Sequence, residues 1–189
     1  MLSRRIIAVL LAVQTSLALL VVVAPPVDAQ DAGAACFYVN RANAAFARGR
    51  WDEAMADYDT ALTFDPRNAA IYNHRGQTWM AQGHPNLAIA DFNQAIDLDP
   101  ALAEAWNNRG AAHYRKGKTE AAIADFDRAI LINPRYAMAY ANRGMAKLKR
   151  GRDDEARRDF DLCLELDRSL KPRLERLLAK IDGQAIVKR

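Results

Sequence analysis

A chain of 189 residues is long enough for one domain with its own core, and its formal net charge of +4 is unevenly distributed. Between Gln30 and Asp167 it carries 18 basic and 20 acidic residues, and the positive excess follows Asp167. This distribution argues against a nucleic-acid partner. We expect the basic C-terminal end to keep the domain soluble, or to meet an anionic membrane surface or an acidic partner.

The first 29 residues have the pattern of an export signal. Arg4 and Arg5 precede an apolar run from Ile6 to Ala24, two prolines end the run, and Val27 to Ala29 form a small-x-Ala cleavage motif. The pattern predicts a signal peptide at residues 1–29. An uncleaved membrane anchor is the alternative, because the run is long enough to span a bilayer. Both alternatives predict export, to the periplasm of a bacterial cell or beyond it.

An internal repeat organises the rest of the sequence. A spacing of 34 residues relates Pro66, Pro100 and Pro134, and the segments before them align without gaps. With proline at position 32, the units are 35–68, 69–102, 103–136 and 137–170. Position 4 is Tyr or Trp in every unit, position 8 is Ala or Gly, position 20 is Ala, and position 24 is Tyr or Phe. This pattern resembles the tetratricopeptide repeat family.

The spacing of apolar residues predicts two helices in each unit. Positions 4, 8 and 11 form one helical stripe, and positions 20, 24 and 27 form another. Glycine at position 15 is expected to end the first helix. The resemblance implies an all-α, right-handed superhelical array of four helix pairs. Residues 30–34 are expected to form a short linker, residues 171–183 a capping helix, and residues 184–189 a basic tail.

Position 7 departs from the family pattern, because arginine replaces the usual leucine in all four units. Position 23 is aspartate in all four. Burying arginine beside aromatic rings is costly without a carboxylate partner. We therefore predict an ion pair within each repeat. The pairs are Arg41 with Asp57, Arg75 with Asp91, Arg109 with Asp125, and Arg143 with Asp159.

The sequence offers no recognisable catalytic or metal-binding motif. Its three histidines are not spaced against cysteine or carboxylate residues in a metal-ligand pattern, and no glycine-rich phosphate loop is present. We expect no cofactor, no metal and no enzymatic activity. Cys36 and Cys163 fall in the first and last repeats, too far apart for an intramolecular disulfide. An intermolecular disulfide through Cys36 is the minority alternative.

The resemblance implies a ligand-binding inner surface formed by positions 2, 5, 9, 12 and 13 of the first helices. Amides there are suited to an extended peptide backbone, and methionine adapts to varied side chains. The candidate peptide-binding residues are Asn43, Asn73, Gln77, Met80, Asn107, Tyr114, Arg115 and Met145. The expected function is a protein-binding module or scaffold. A membrane-tethered component of an envelope assembly is the alternative.

Some members of the family bind a C-terminal carboxylate with basic residues and asparagines from three successive repeats. Here positions 2, 5 and 9 carry no lysine or arginine, and position 2 of the third repeat is Glu104. Without a cation a terminal carboxylate would lose its charge-assisted hydrogen bonds. We therefore expect an internal or extended segment as ligand, bound with little dependence on salt.

Overall fold

The computed structural model describes residues 29–172, 174–176 and 178, and this part of the chain forms eight α-helices and no strand. The predicted signal peptide lies outside the described residues, apart from Ala29. The helices are α1 Ala29–Ala47, α2 Trp51–Phe64, α3 Ala69–Ala81, α4 Pro85–Leu98, α5 Ala103–Arg115, α6 Thr119–Ile132, α7 Ala137–Lys149 and α8 Asp153–Leu166. The prediction of an all-helical array of four helix pairs is confirmed.

Both ends of the array differ in detail from the sequence expectation. Helix α1 begins at Ala29, so residues 30–34 are helical rather than a linker. After α8 a 3₁₀ turn, Arg168–Leu170, leads into helical residues that include Leu174. Leu174 is buried and packs in one cluster with Ala156 and Phe160 of α8. The remainder of the predicted cap and the basic tail fall outside the described residues.

Each first helix ends two residues before a glycine, in agreement with the predicted glycine terminator. Gly49, Gly83, Gly117 and Gly151 have φ of 72°, 84°, 76° and 72°. This left-handed conformation is accessible to glycine at little cost and reverses the chain into the second helix. Acidic residues lie in the first turn of α2, α6 and α8, where they interact favourably with the positive end of the helix dipole.

A glycine at position 8 allows the two helices of a repeat to pack closely. A Cβ atom on Gly110 would lie 2.7 Å from Cε1 of Phe126, and Gly76 and Gly144 face Phe92 and Phe160 in the same way. Phe126 is itself buried. Small and aromatic residues therefore alternate along the helix-pair interface.

The first helices, α1, α3, α5 and α7, lie on the inner side of the array. Successive first helices contact one another, whereas the second helices of the described chain make no contacts of similar extent. An array whose first helices approach each other is concave on their side. Within the described ranges, none of the helices combines the length and apolar character that crossing a membrane requires.

Candidate functional site

The predicted ion pairs form in all four repeats. In each one the arginine at position 7 donates two parallel hydrogen bonds, from Nε and Nη2, to the carboxylate at position 23. For Arg75 and Asp91 the distances are 2.9 and 2.6 Å. The hydrogen bond to Asp91, joined by a second one to Asp59, raises the pKa of Arg75 despite burial. The bidentate geometry fixes the guanidinium plane between the two helices.

The same arginines also connect neighbouring repeats. Nη1 of Arg75 donates to Asp59 at 2.7 Å, and Nη1 of Arg143 donates to Asp127 at 2.7 Å. Arg109 uses Asn93 in this role, at 2.9 Å. The acceptors occupy position 25 of the preceding repeat. The sequence-based preference for pairing within a repeat was therefore incomplete, because each internal guanidinium spans two repeats.

An aromatic ring at position 4 completes each of these clusters. The guanidinium carbon of Arg109 lies 4.6 Å from the ring centroid of Trp106, and the other three arginines lie 5.1 to 5.4 Å from a tyrosine ring. Arginine over an aromatic face gains from the ring quadrupole. Each of the four clusters, an arginine with its aspartate and its aromatic ring, therefore holds the helices of the array in place.

Two further titratable side chains, both at position 11, lie beside these ion pairs. Lys147 is buried and pairs with Asp159 at 2.9 Å, a contact that sequence reasoning missed. His113 lies 3.9 Å from Asp125, and burial lowers its pKa. Nδ1 of His113 is buried and has no hydrogen-bond partner in the described part of the chain.

Two of the candidate binding residues are buried rather than exposed. Asn73 is 1% and Asn107 is 4% exposed. Their side-chain oxygens accept hydrogen bonds from Asn108 and Asn142 of the following repeat, at 2.9 and 2.8 Å. Position 6 of one repeat thus donates to position 5 of the repeat before it. The physical reason for the correction is this interlock, which removes both oxygens from the inner surface.

The other candidate residues lie at or near the surface. Gln77, Met80, Tyr114 and Met145 are half-buried, and Arg115 is exposed. They come from α3, α5 and α7, and so fall in successive repeats on the inner side.

Contacts between repeats also hold several of these side chains. Nη1 of Arg115 donates to the carbonyl oxygen of Met80 at 2.9 Å, and Nζ of Lys149 lies 4.8 Å from the ring centroid of Tyr114.

Asn43, half-buried on α1, is held by a contact within its own repeat. It accepts a 2.6 Å hydrogen bond from the hydroxyl of Tyr58, whose pKa burial raises to about 12. Asn43 therefore keeps its amide NH₂ as the group to offer a ligand.

The hydrogen bonds between neighbouring repeats were not predicted, although the sequence contains a pattern that indicates them. Position 25 reads Asp59, Asn93 and Asp127, and position 18 reads Asp52, Asn86 and Glu120. A column of short polar acceptors on a second helix, at the same spacing in each unit, is typical of contacts made once per repeat.

Comparisons with known proteins give one consistent result. Family models described as TPR repeat match residues 42–83 and 80–117. Models described as Tetratricopeptide repeat match residues 103–136 and 137–170. No curated protein matches the sequence at a significant level.

Several solved structures share the fold. A crystal structure of MamA protein is 29% identical, covers 70% of this chain and 73% of its own, and superposes with a TM-score of 0.62. The first TPR of Spaghetti (RPAP3), bound to the HSP90 peptide SRMEEVD, is 26% identical, with 66% and 97% coverage and a TM-score of 0.61. PilF of Pseudomonas aeruginosa, at 23% identity, 82% and 72% coverage and a TM-score of 0.71, supports the fold alone.

Proposed function

The chain belongs to the tetratricopeptide repeat family, and from that premise we propose that it holds a segment of another polypeptide along its first helices. The observation that supports this best is a row of surface side chains, Gln77, Met80, Tyr114 and Arg115, on the concave side. The first TPR of RPAP3 is bound to a peptide in its structure. A peptide is therefore an occupant that this fold accepts.

The occupant we propose is an internal or extended segment rather than a chain end. Gln77 offers both a donor and an acceptor to a peptide backbone, and Met80 and Met145 offer adaptable apolar contacts. Positions 2, 5 and 9 supply no cation for a terminal carboxylate. Asn73 and Asn107 do not contact the ligand in this proposal, because they interlock the repeats beneath it.

We further propose that the module works outside the cytoplasm, in the periplasm or as a secreted protein. The support is the sequence pattern of residues 1–29, with Arg4 and Arg5 before an apolar run. Mass spectrometry of the mature protein distinguishes the alternatives. Gln30 as the first residue indicates cleavage, whereas a retained N-terminal segment favours the membrane-tethered assembly component.

Site-specific photo-crosslinking in native cells tests the proposed binding face. We expect benzoylphenylalanine in place of Gln77 to give a discrete adduct with one partner. The matched control replaces Leu131, which is 68% exposed on the second helix α6. Adducts of equal yield from both positions, or from Leu131 alone, would contradict the assignment of the inner face.

A further inference from the structure

The first repeat leaves open a helix face that the other three repeats bury. At positions 3 and 10 the later repeats carry Ile71, Thr78, Ala105, Ala112, Ala139 and Ala146, each exposed by 1% or less. The same positions in α1 are Phe37, which is 59% exposed, and Ala44, which is also exposed. We call Phe37, Arg41, Ala44 and Arg48 the N-terminal face.

Two hydrogen-bonding rows cross each internal junction, and among the residues that the structure describes neither row is completed at this face. The first row joins Nη1 of the arginine at position 7 to the acceptor at position 25 of the preceding repeat. In the described part of the chain, Nη1 of Arg41 has no such acceptor. The side chain of Arg41 is 55% exposed, against 16 to 22% for its three counterparts.

The second row joins position 14 to position 18 of the preceding repeat. Gln82 donates to Asp52 at 2.7 Å, Lys116 donates to Asn86, and Arg150 pairs with Glu120 at 2.6 Å. The corresponding residue in the first repeat is Arg48, whose side chain has no hydrogen-bond or ion-pair partner among the described residues. A groove of about 430 Å³ runs past Arg41, Ala44 and Arg48.

We propose that the N-terminal face docks a helix of a separate partner chain that presents two carboxylate or amide side chains seven residues apart. The internal junctions give the geometry: positions 25 and 18 are seven residues apart on one helix, and they meet positions 7 and 14 of an antiparallel neighbour. Acceptors spaced in this way would reach Nη1 of Arg41 and the guanidinium of Arg48 together. Ala44 lies between the two arginines, and Phe37, whose ring centroid is 5.5 Å from the guanidinium carbon of Arg41, adds apolar surface at the other end of the face.

Two other occupants fit less well. Residues 1–28 contain one carboxylate, Asp28, and one amide, Gln14, which are not seven apart. A second copy offers Asp154 and Asp161 on α8, at the right spacing and without partners in the described structure. Leu174, however, already packs on Phe160 of that helix. A second copy would have to displace this contact, so a separate chain is the better occupant.

The probe for this proposal is a stapled, fluorescein-labelled peptide of residues 51–64, the helix that supplies Asp52 and Asp59 to the next repeat. We expect it to bind the full chain in fluorescence anisotropy. Replacing Asp59 by Ala in the peptide should raise Kd about threefold to fivefold, since one ion pair is lost. Because this change is made in the peptide, it leaves the Arg41–Asp57 pair and the fold of the protein intact.

A charge exchange tests the second contact. The Arg48→Glu chain should bind the natural peptide weakly, and the Asp52→Arg peptide should recover affinity for that chain. Arg67→Glu, at an exposed position outside α1, is the control with the same charge change. A Kd above about 1 mM would overturn the proposal. A Kd that neither Asp59→Ala in the peptide nor Arg48→Glu in the chain changes would also overturn it. Self-association of the full chain, abolished by Arg48→Glu in sedimentation, would overturn it in favour of a second copy.

Discussion

Asp91 is buried and accepts two hydrogen bonds from one guanidinium, so its substitution should lower the stability of the fold. Its side chain is 9% exposed and lies at 2.9 and 2.6 Å from Nε and Nη2 of Arg75. We expect Asp91→Ala to lower the free energy of unfolding by about 3 kcal/mol, because the arginine loses its buried partner. Urea denaturation measures the change.

The control for that experiment is Asp97→Ala, an exposed aspartate on the same helix, α4. Removing an exposed charge away from any buried network should cost less than about 0.5 kcal/mol. Equal effects of the two substitutions would show that the Arg75–Asp91 pair behaves as a surface pair in solution.

Gly110 is required by the ring opposite it. A methyl group there would lie 2.7 Å from Cε1 of the buried Phe126. We expect Gly110→Ala to destabilise the protein by about 1 to 3 kcal/mol through overpacking, against the usual gain from alanine in a helix. Gly33→Ala in α1, where the added Cβ has no neighbour within 4 Å, should be neutral or stabilising. Thermal unfolding of both variants decides the point, and a stable Gly110→Ala protein would contradict it.

His113 should make stability depend on pH. Burial lowers its pKa below the usual value, and the attraction of Asp125 offsets this only in part. Arg109, Lys116 and Lys118 also disfavour the charged form. The unfolded chain therefore binds the proton more readily. The stabilisation from neutral His113 is present above about pH 6.5 and is lost as the pH falls below that value.

The measurement is urea unfolding at about pH 7.5 and about pH 5.5 for the natural chain and for His113→Gln. We expect the natural chain to lose more stability on acidification, because the glutamine cannot take up a proton. The other two histidines are present in both proteins, so the difference between the two proteins isolates His113. A larger loss in the variant would show that the charged form is the one the fold favours.

At the scale of helices, the contacts between repeats differ in strength from those within a repeat. Asp59 joins α2 to Arg75 on α3, but its side chain is 59% exposed. We expect Asp59→Ala to cost less than about 1 kcal/mol, as exposed ion pairs do. Asp59→Asn should cost still less, since Asn93 fills the same role for Arg109. Both are measured by urea denaturation, and a loss as large as that of Asp91→Ala would contradict this ranking.

The helices and the ion pairs within repeats could be predicted because a single residue type at a fixed position determines each helix end and each pair. Glycine at position 15 ends a helix, and a buried arginine at position 7 requires the carboxylate opposite it. The fate of Asn73 and Asn107 could not be predicted in the same way. Their family positions indicate an inner surface, whereas their burial depends on Asn108 and Asn142, side chains supplied by the next repeat.

At the scale of the whole molecule, the two surfaces that we propose for partners differ in chemistry. The inner side presents Gln77, Met80 and Tyr114, with Arg115 and Lys149 at its edge. The N-terminal face presents Phe37 beside Arg41 and Arg48, whose donors lack inter-repeat acceptors within the described ranges. Because a repeat array contacts only its neighbours in sequence, ligands on these two surfaces are expected to bind independently.

The character of the inner-face ligand can be decided with one peptide in two forms. Once crosslinking identifies the partner segment, we expect the free acid and the C-terminally amidated peptide to bind with similar Kd, because no cation at positions 2, 5 or 9 awaits a carboxylate. Isothermal titration calorimetry on both forms measures this. Met80→Ala and Tyr114→Ala should weaken both peptides equally, and Leu131→Ala should leave both unchanged.

The same titrations at low and high salt separate uncharged from charged contacts. We expect little change in Kd, because Gln77 and the methionines bind without charge and screening acts on charges alone. A steep loss of affinity with salt, removed by Arg115→Gln or Lys149→Gln, would show that these two cations bind the ligand. A large loss on amidation would show instead that a terminal carboxylate is recognised, which would contradict the proposed internal segment.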